Sequence, residues 1–408
     1  MSELIVPIGR VSLNSKQDLK FAQPASNASL EEQITILLTR DLARLGWRLQ
    51  NHTSNSFHFS PPSNYDKAVI KKAMAFNRSE VLQRNRNWIE KYLPMAQANL
   101  ATGKDVLKSP IIPRIEVCNT AKQRNLFRIY RYFWSSPYSE YVGRRIRLLI
   151  RDDGVAGSPV IGIAALGSSI IHIPDRDNWI GWAVKTRTKQ LIYVMDAYIL
   201  GALPPYNQLL GGKLIAYILA SNEIRELFKQ KYAHQKTIIE GRVANDLALI
   251  VTSSLYGKHS SQYNRIKYKE DILYQPIGTT LGYGTLHISN ETFEAMRELV
   301  ELNNKAISYK FGSGPNWRMR IIDTACRIMQ LDSDVILKHS FQRGLYALPL
   351  AHNWQQFLLD NTDILDYKDF PLKDLITFWK ERWLSHRLDN PSITDEVQVF
   401  LPEHFNLF

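Results

Sequence analysis

The chain has 408 residues, with 51 Lys and Arg against 39 Asp and Glu, a formal charge of +12 and a pI near 9.5. Hydrophobic residues at 45% and charged residues at 22% exclude a disordered or coiled-coil chain, and the length suits two or three domains with real cores. The only cysteines, Cys118 and Cys326, exclude a disulfide framework and a thiolate zinc site.

The opening MSELIVPIGRVSLNSKQ lacks a basic segment followed by a long apolar run, so no export is expected and a cytoplasmic location fits. Apolar stretches such as SPVIGIAALGSSIIHI are broken by Gly and Ser and are too short to span a membrane. Residues 1–28 read as a loose arm. Ser29 and Glu32 then form a capping box ahead of a helix that carries Ile34, Leu37, Leu38, Leu42 and Leu45 on one stripe and stops at Gly46. A polar loop follows, and a second helical region runs from near Asp66 until Pro94 interrupts it. Residues 29–108 are therefore expected to form a helical domain with a basic, solvated face.

Pro110 and Pro113 mark a change of texture. Strands are expected at 146–154, 160–167 and 190–200, then a helix after Gly211-Gly212, a buried strand at 247–255, a short helix near Tyr263 and a terminal hairpin-like pair. This order predicts an α+β fold: a mixed-sheet core over 109–290, followed by a helical appendage over 291–408.

Three features carry candidate chemistry. Between Ala121 and Arg151 eight basic residues, including Arg128, Arg131, Arg144, Arg145 and Arg147, face one acid, Glu140, and aromatic residues are interleaved with them. That composition suits a nucleic-acid surface, with Lys258 and Arg265 as further contacts, and equally suits an aromatic core behind a solvated arginine face. Gln208-x-x-Gly211-Gly212-Lys213 opens a helix whose free N–H groups attract anions. It resembles the pyrophosphate loop of GNAT acyltransferases at its first two anchors and departs at Lys213. A cluster of Tyr256, Ser261, Tyr263 and Asn264 after the buried strand, with Asp196 as candidate base, would line a reactive pocket. Asp152, Asp177 and Asp196 offer a rival reading, a metal-dependent nuclease or transposase-like site that needs the three acids to converge. No His-Glu-x-x-His pair or phosphate-binding Gly-x-x-x-x-Gly-Lys-Ser/Thr loop occurs, so neither zinc nor intrinsic ATPase chemistry is expected.

A set of motifs spread along the chain is specific as a set. It comprises Phe127-Arg128, Gly143-Arg144-Arg145, Arg176-Asp177, Trp179-Ile180-Gly181-Trp182, Met195-Asp196-Ala197-Tyr198, Pro204-Pro205-Tyr206, Leu210-Gly211-Gly212-Lys213, Tyr263-Asn264-Arg265 and Gly282-Tyr283-Gly284. In this set the chain resembles the DruA family of Druantia anti-phage systems. The resemblance implies a role in bacterial antiviral defence, other Druantia proteins as partners (a large helicase-like subunit among them), and a GNAT-like core. With the cationic segment, it leads to the expectation of a DNA-binding defence protein whose core modifies or senses nucleic acid, with an acyl-CoA-like donor as the conceivable cofactor. A phage GNAT-like enzyme that modifies adenine in DNA is a precedent by analogy of fold. A non-enzymatic recruitment scaffold is the remaining alternative.

Overall fold

The computed structural model describes residues 4–7, 19–53, 56–61, 67–135, 143–237, 241–255, 262–285, 287–305, 315–339 and 341–408. They divide into two compact units, one drawn from 1–84, 135–140 and 281–342, the other from 85–134, 141–280 and 343–408.

In the first unit Ser29 caps the helix Leu30–Arg44, and the reciprocal bond from Glu32 completes the capping box. The helix stripe is buried, and Gly46 takes a positive φ just beyond the helix end. The expected polar loop is instead a pair of strands, Arg48–Thr53 and Ser56–Ser60, and the expected loose arm contributes Leu4–Pro7 as the third strand of that sheet. Local composition hides these strands because their pairing, not their polarity, defines them. Helices Asn290–Leu302 and Pro315–Ile328 form as the periodicity indicates. Asp41 ties the first helix to Ser289 and Thr292, accepting bonds of 2.7 Å from the Ser289 N–H and 2.6 Å from the Thr292 hydroxyl. Burial pushes the Asp41 carboxyl up to about 6, against the lowering effect of these bonds and of Arg40. His287 is buried in the same unit and donates from Nε2 to the Ile336 carbonyl at 2.6 Å, and burial pushes it down to about 4.

The second unit is built on a seven-stranded sheet. Its strands are β1 (Pro113–Val117), β2 (Arg145–Asp152), β3 (Val160–Ser168), β4 (Val194–Ala202), β5 (Leu249–Ser254), β6 (Gln275–Thr279) and β7 (Gly344–Pro349), in the spatial order β6-β7-β5-β4-β3-β2-β1. Every pairing is antiparallel except β4 with β5, which are parallel and therefore need a crossover. The expected terminal hairpin is not formed: β6 pairs with β7, from far downstream, and β7 separates β6 from β5.

The helices of this unit that bear on the site are α1 (Arg86–Gln97), α2 (Ala121–Arg131), α3 (Pro174–Ile180), α4 (Val184–Gln190), α5 (Gly211–Ala220), α6 (Asn222–Tyr232) and α7 (Leu372–Trp379). Pro94 sits inside α1 without ending it, and the break between helical segments falls near Asn85, where the two units divide. The expected helical domain over 29–108 and appendage over 291–408 are thus each shared between units. Strand alternation sends Ile146, Leu148, Ile150, Met195, Ala197, Ile250 and Tyr346 to one side of the sheet, into a core with Leu214, Ile215 and Ile218 of α5 and Leu375 and Trp379 of α7. Val194, Leu249, Val251 and Ala347 face the other side, with Ile180 of α3. Among the described residues no helix is long and apolar enough to cross a membrane.

Candidate functional site

The crossover between the parallel strands begins at α5, and its start is set by close packing. A Cβ at Gly211 would lie 2.7 Å from the Tyr206 carbonyl oxygen and 2.8 Å from the Ala202 Cβ, so this glycine lets the helix rise directly from the end of β4. Leu210 takes the left-handed conformation ahead of it, and its carbonyl accepts a bond from Trp379 Nε1 at 3.3 Å. Gly212 lies against the Gln262 side chain, and the buried Gln208 Oε1 has no hydrogen-bond partner among the described residues.

Lys213 is 6% exposed. Its Nζ lies 4.1 Å from the centre of the Trp383 ring and donates to the Gln262 carbonyl at 3.3 Å. Burial, then the positive charges of Arg265 and Arg382, push its amine down to about 8. Arg265 and Arg382 are both exposed, and Arg382 lies 5.2 Å from the Trp383 ring centre. Three cations from three distant segments thus meet near the amino end of α5. Tyr263 packs on the same side of the sheet, 5.0 Å from Tyr274 and 5.2 Å from Tyr346 between ring centres, and burial raises its hydroxyl. Asn264 is exposed beside it. Gly211, Gly212, Lys213, Tyr263, Asn264 and Arg265 are therefore gathered in one region, with Arg382 and Trp383 added from the C-terminal segment. No sequence signal ties those last two to a glycine pair so far upstream. Tyr256, Lys258 and Ser261 lie outside the described residues.

Asp196 is not part of this region. It alternates with Val194 and sits beside Val251, on the face of the sheet opposite α5. It is also six residues before the end of β4, about 20 Å along the strand from the start of α5. Its carboxylate accepts the Ser169 hydroxyl at 2.6 Å and the Ile170 N–H at 3.0 Å, and burial pushes it up to about 6. Arg176, fully buried, continues the network: Nη1 donates to Ser169 Oγ and to the Ile170 carbonyl, both at 2.7 Å, and Nη2 donates to the Ile171 carbonyl at 3.3 Å. Asp177 accepts from Arg176 Nε at 2.8 Å and from Arg187 Nη1 at 2.9 Å, with His172 Nδ1 at 2.9 Å. Burial would raise Asp177, but the bonds and charge of Arg176, with those of His172 and Arg187, hold it below the usual carboxylate range. The role of candidate base for Asp196 in a shared pocket is accordingly corrected to that of a buried anchor for the loop 169–171.

The three-acid metal site is overturned by register. Arg145 lies beside Gly167, and Gly167 beside Asp196, whereas Asp152 is seven residues further along β2, about 23 Å away. Asp152 is occupied by the Ile112 and Gly154 N–H groups and by the Tyr206 hydroxyl at 2.8 Å. Among the described residues no group of three His, Cys, Asp or Glu could hold a metal ion.

The arginine-rich segment also divides. Arg144 turns inward, donating to the Ala244 carbonyl at 2.9 Å and to the Ile192 carbonyl, with Phe228 and Tyr232 rings 5.2 Å from its guanidinium. It is therefore corrected from a phosphate contact to a brace between loops. Arg128 lies 4.0 Å from the Trp88 ring centre and donates to Asn85 and Tyr132, while Arg131 is buried. Arg145 and Arg147 share one face of β2 and are half-buried, Arg147 lying 5.6 Å from the Phe127 ring centre. Arg144 and Arg145 stand at the Asp196 end of the sheet, not beside the diglycine turn.

Comparison with known proteins gives the family. The Druantia protein DruA family matches residues 64–360. Druantia protein DruA of Escherichia coli (strain UMEA 4076-1) is 35% identical over 303 residues, covering 74% of each chain. No solved structure matches. The chain belongs to the DruA family of Druantia proteins.

Proposed function

We propose that the protein acts as the DruA component of a Druantia anti-phage system, with the seven-stranded unit as a GNAT-like group-transfer core and with nucleic acid as its target. The observation that carries this reading is the parallel β4–β5 pair, joined through a helix whose diglycine start meets Lys213, Arg265 and Arg382. The chain order of long strand, loop, helix, strand and short helix in the GNAT resemblance is followed here with a second helix, α6, inserted before β5. An anion-bearing acyl donor, of coenzyme A type, would be held by the Gly212 backbone with Arg265 and Arg382, and would supply the group to be transferred. Lys213, folded under Trp383, gives the region positive charge in place of the third small residue of the acyltransferase loop. Arg145 and Arg147 would contact nucleic-acid phosphates.

Calorimetric titration with coenzyme A and with pyrophosphate tests the anion site. Arg265→Ala and Arg382→Ala are each expected to weaken binding by roughly tenfold, the loss of one charge-assisted contact. Affinity that is absent, or unmoved by both substitutions, rejects the cradle. A recruiting role without catalysis is the second reading, and the remoteness of Asp196 from the start of α5 is the observation on its side. Phage protection that survives loss of anion binding would select that second reading.

A further inference from the structure

The loop that leaves β3 has an unusual construction. Beneath it, two buried charges fix its backbone: Asp196 takes the Ser169 hydroxyl and the Ile170 N–H, and Arg176 takes the Ile170 and Ile171 carbonyls. Burying a carboxylate and a guanidinium costs several kcal/mol unless their polar atoms are matched, and here the matching partners are the backbone groups of this loop, which are thereby held from below. Above it, the side chains of Ile170 and Ile171 are 52% and 71% exposed. Single exposed apolar residues are ordinary, but an adjacent pair on a pinned tip is a preformed projection.

The surroundings carry a net positive excess, although Asp175 and Asp177 lie in the first turn of α3. Arg145 pairs in register with Gly167 at the end of β3, while the Arg144 guanidinium turns inward to the Ala244 and Ile192 carbonyls. Helix α4 carries Lys185, Arg187 and Lys189 with no acid. Arg187 is committed to Asp177 and Lys189 to Asp360, which leaves Lys185 as the exposed cation of α4. A rigid apolar tip set among cations is the construction that lets a side chain enter a base stack while phosphates are held alongside, and rigidity matters because unstacking must not be shared with loop reordering.

From this geometry we infer that Ile170 and Ile171 form a wedge that inserts between base steps of duplex nucleic acid and unstacks them. The inference rests on the nucleic-acid part of the proposed function and adds what the protein does to the duplex. The loop's role is mechanical, so it is independent of any group transfer at α5.

The test uses the full chain and a set of short duplexes with 2-aminopurine at successive positions. Wild-type protein is expected to raise the fluorescence at one or a few steps. Ile170→Ala/Ile171→Ala should abolish the rise, weaken binding by roughly three- to tenfold and leave its salt dependence unchanged. Arg145→Ala should instead weaken binding and flatten the salt dependence while the rise persists at saturation. Thermal unfolding controls for folding, since both isoleucines are exposed. Duplex binding with no rise at any position, or a rise retained in the double variant, overturns the wedge but leaves the nucleic-acid reading standing. No duplex binding at all overturns both. Unchanged duplex behaviour with loss of binding to another purified Druantia protein overturns the wedge and makes the tip a protein-docking surface.

Discussion

At the scale of single residues, Asp41 and His287 make opposite statements about pH within one unit. Asp41 rises from 3.8 to about 6 on folding, so the folded state holds its proton more tightly. Its contribution is therefore full below about 4 and is lost as pH climbs through 6. His287 falls from 6.5 to about 4, so the unfolded state takes the proton first, and its contribution is lost as pH drops from 6.5 to 4. At about 1.4 kcal/mol per pH unit each shift corresponds to roughly 3 kcal/mol, and across the shared window the two nearly cancel. His287→Gln, which keeps a donor for the Ile336 carbonyl, should expose the Asp41 trend, with stability rising as pH falls from 6.5 to 4. Asp41→Asn should show the reverse. Amide exchange in Leu30–Arg44 and Asn290–Leu302, corrected for intrinsic rates, reads both outcomes; a pH profile that stays flat in either variant contradicts the assignment.

At the scale of elements, α3 is held to the sheet by charge as much as by Ile180. Arg176→Met would leave the Ile170 and Ile171 carbonyls and Asp177 short of donors in a buried place, and is expected to cost about 3–5 kcal/mol in denaturant unfolding. Lys185→Ala, on the solvent side of α4, should stay within about 0.5 kcal/mol. The sequence reading is good for elements whose signal is local. The Ser29–Glu32 box and the apolar runs at 146–150, 160–166 and 249–254 announce themselves because capping and burial are written in adjacent residues. The diglycine start of α5 is legible for the same reason. Arg176 is not, because an arginine between two aspartates looks like turn chemistry until Ser169 and Asp196 are brought beneath it. Arg144 and Arg145 adjoin in sequence, and only tertiary packing separates an inward brace from a strand-face cation. Strand β7 and the Leu4–Pro7 strand escape notice because their partners are far away in the chain, and the Arg48–Thr53 and Ser56–Ser60 hairpin does so because its residues are polar.

At the scale of the whole molecule, a charge of +12 leads to a specific expectation for nucleic-acid binding. Affinity should fall steeply with salt, and Arg145→Ala/Arg147→Ala should lower the slope of log affinity against log salt by about 1 to 2, one released counterion per lost phosphate contact. Arg144→Ala should lower stability and leave that slope alone, since its guanidinium is used by the Ala244 and Ile192 carbonyls. Equal slopes for all three proteins would remove Arg145 and Arg147 as phosphate contacts. The placement of β7 between β5 and β6 has a temporal corollary. A nascent chain emerging from the ribosome cannot close this sheet until residue 349 is out, so β5 waits with an open hydrogen-bonding edge while the intervening segment is made. The protein is thus obliged to shelter a sticky half-sheet during its own synthesis, and premature termination between Ser254 and Gly344 would release that half-sheet unguarded.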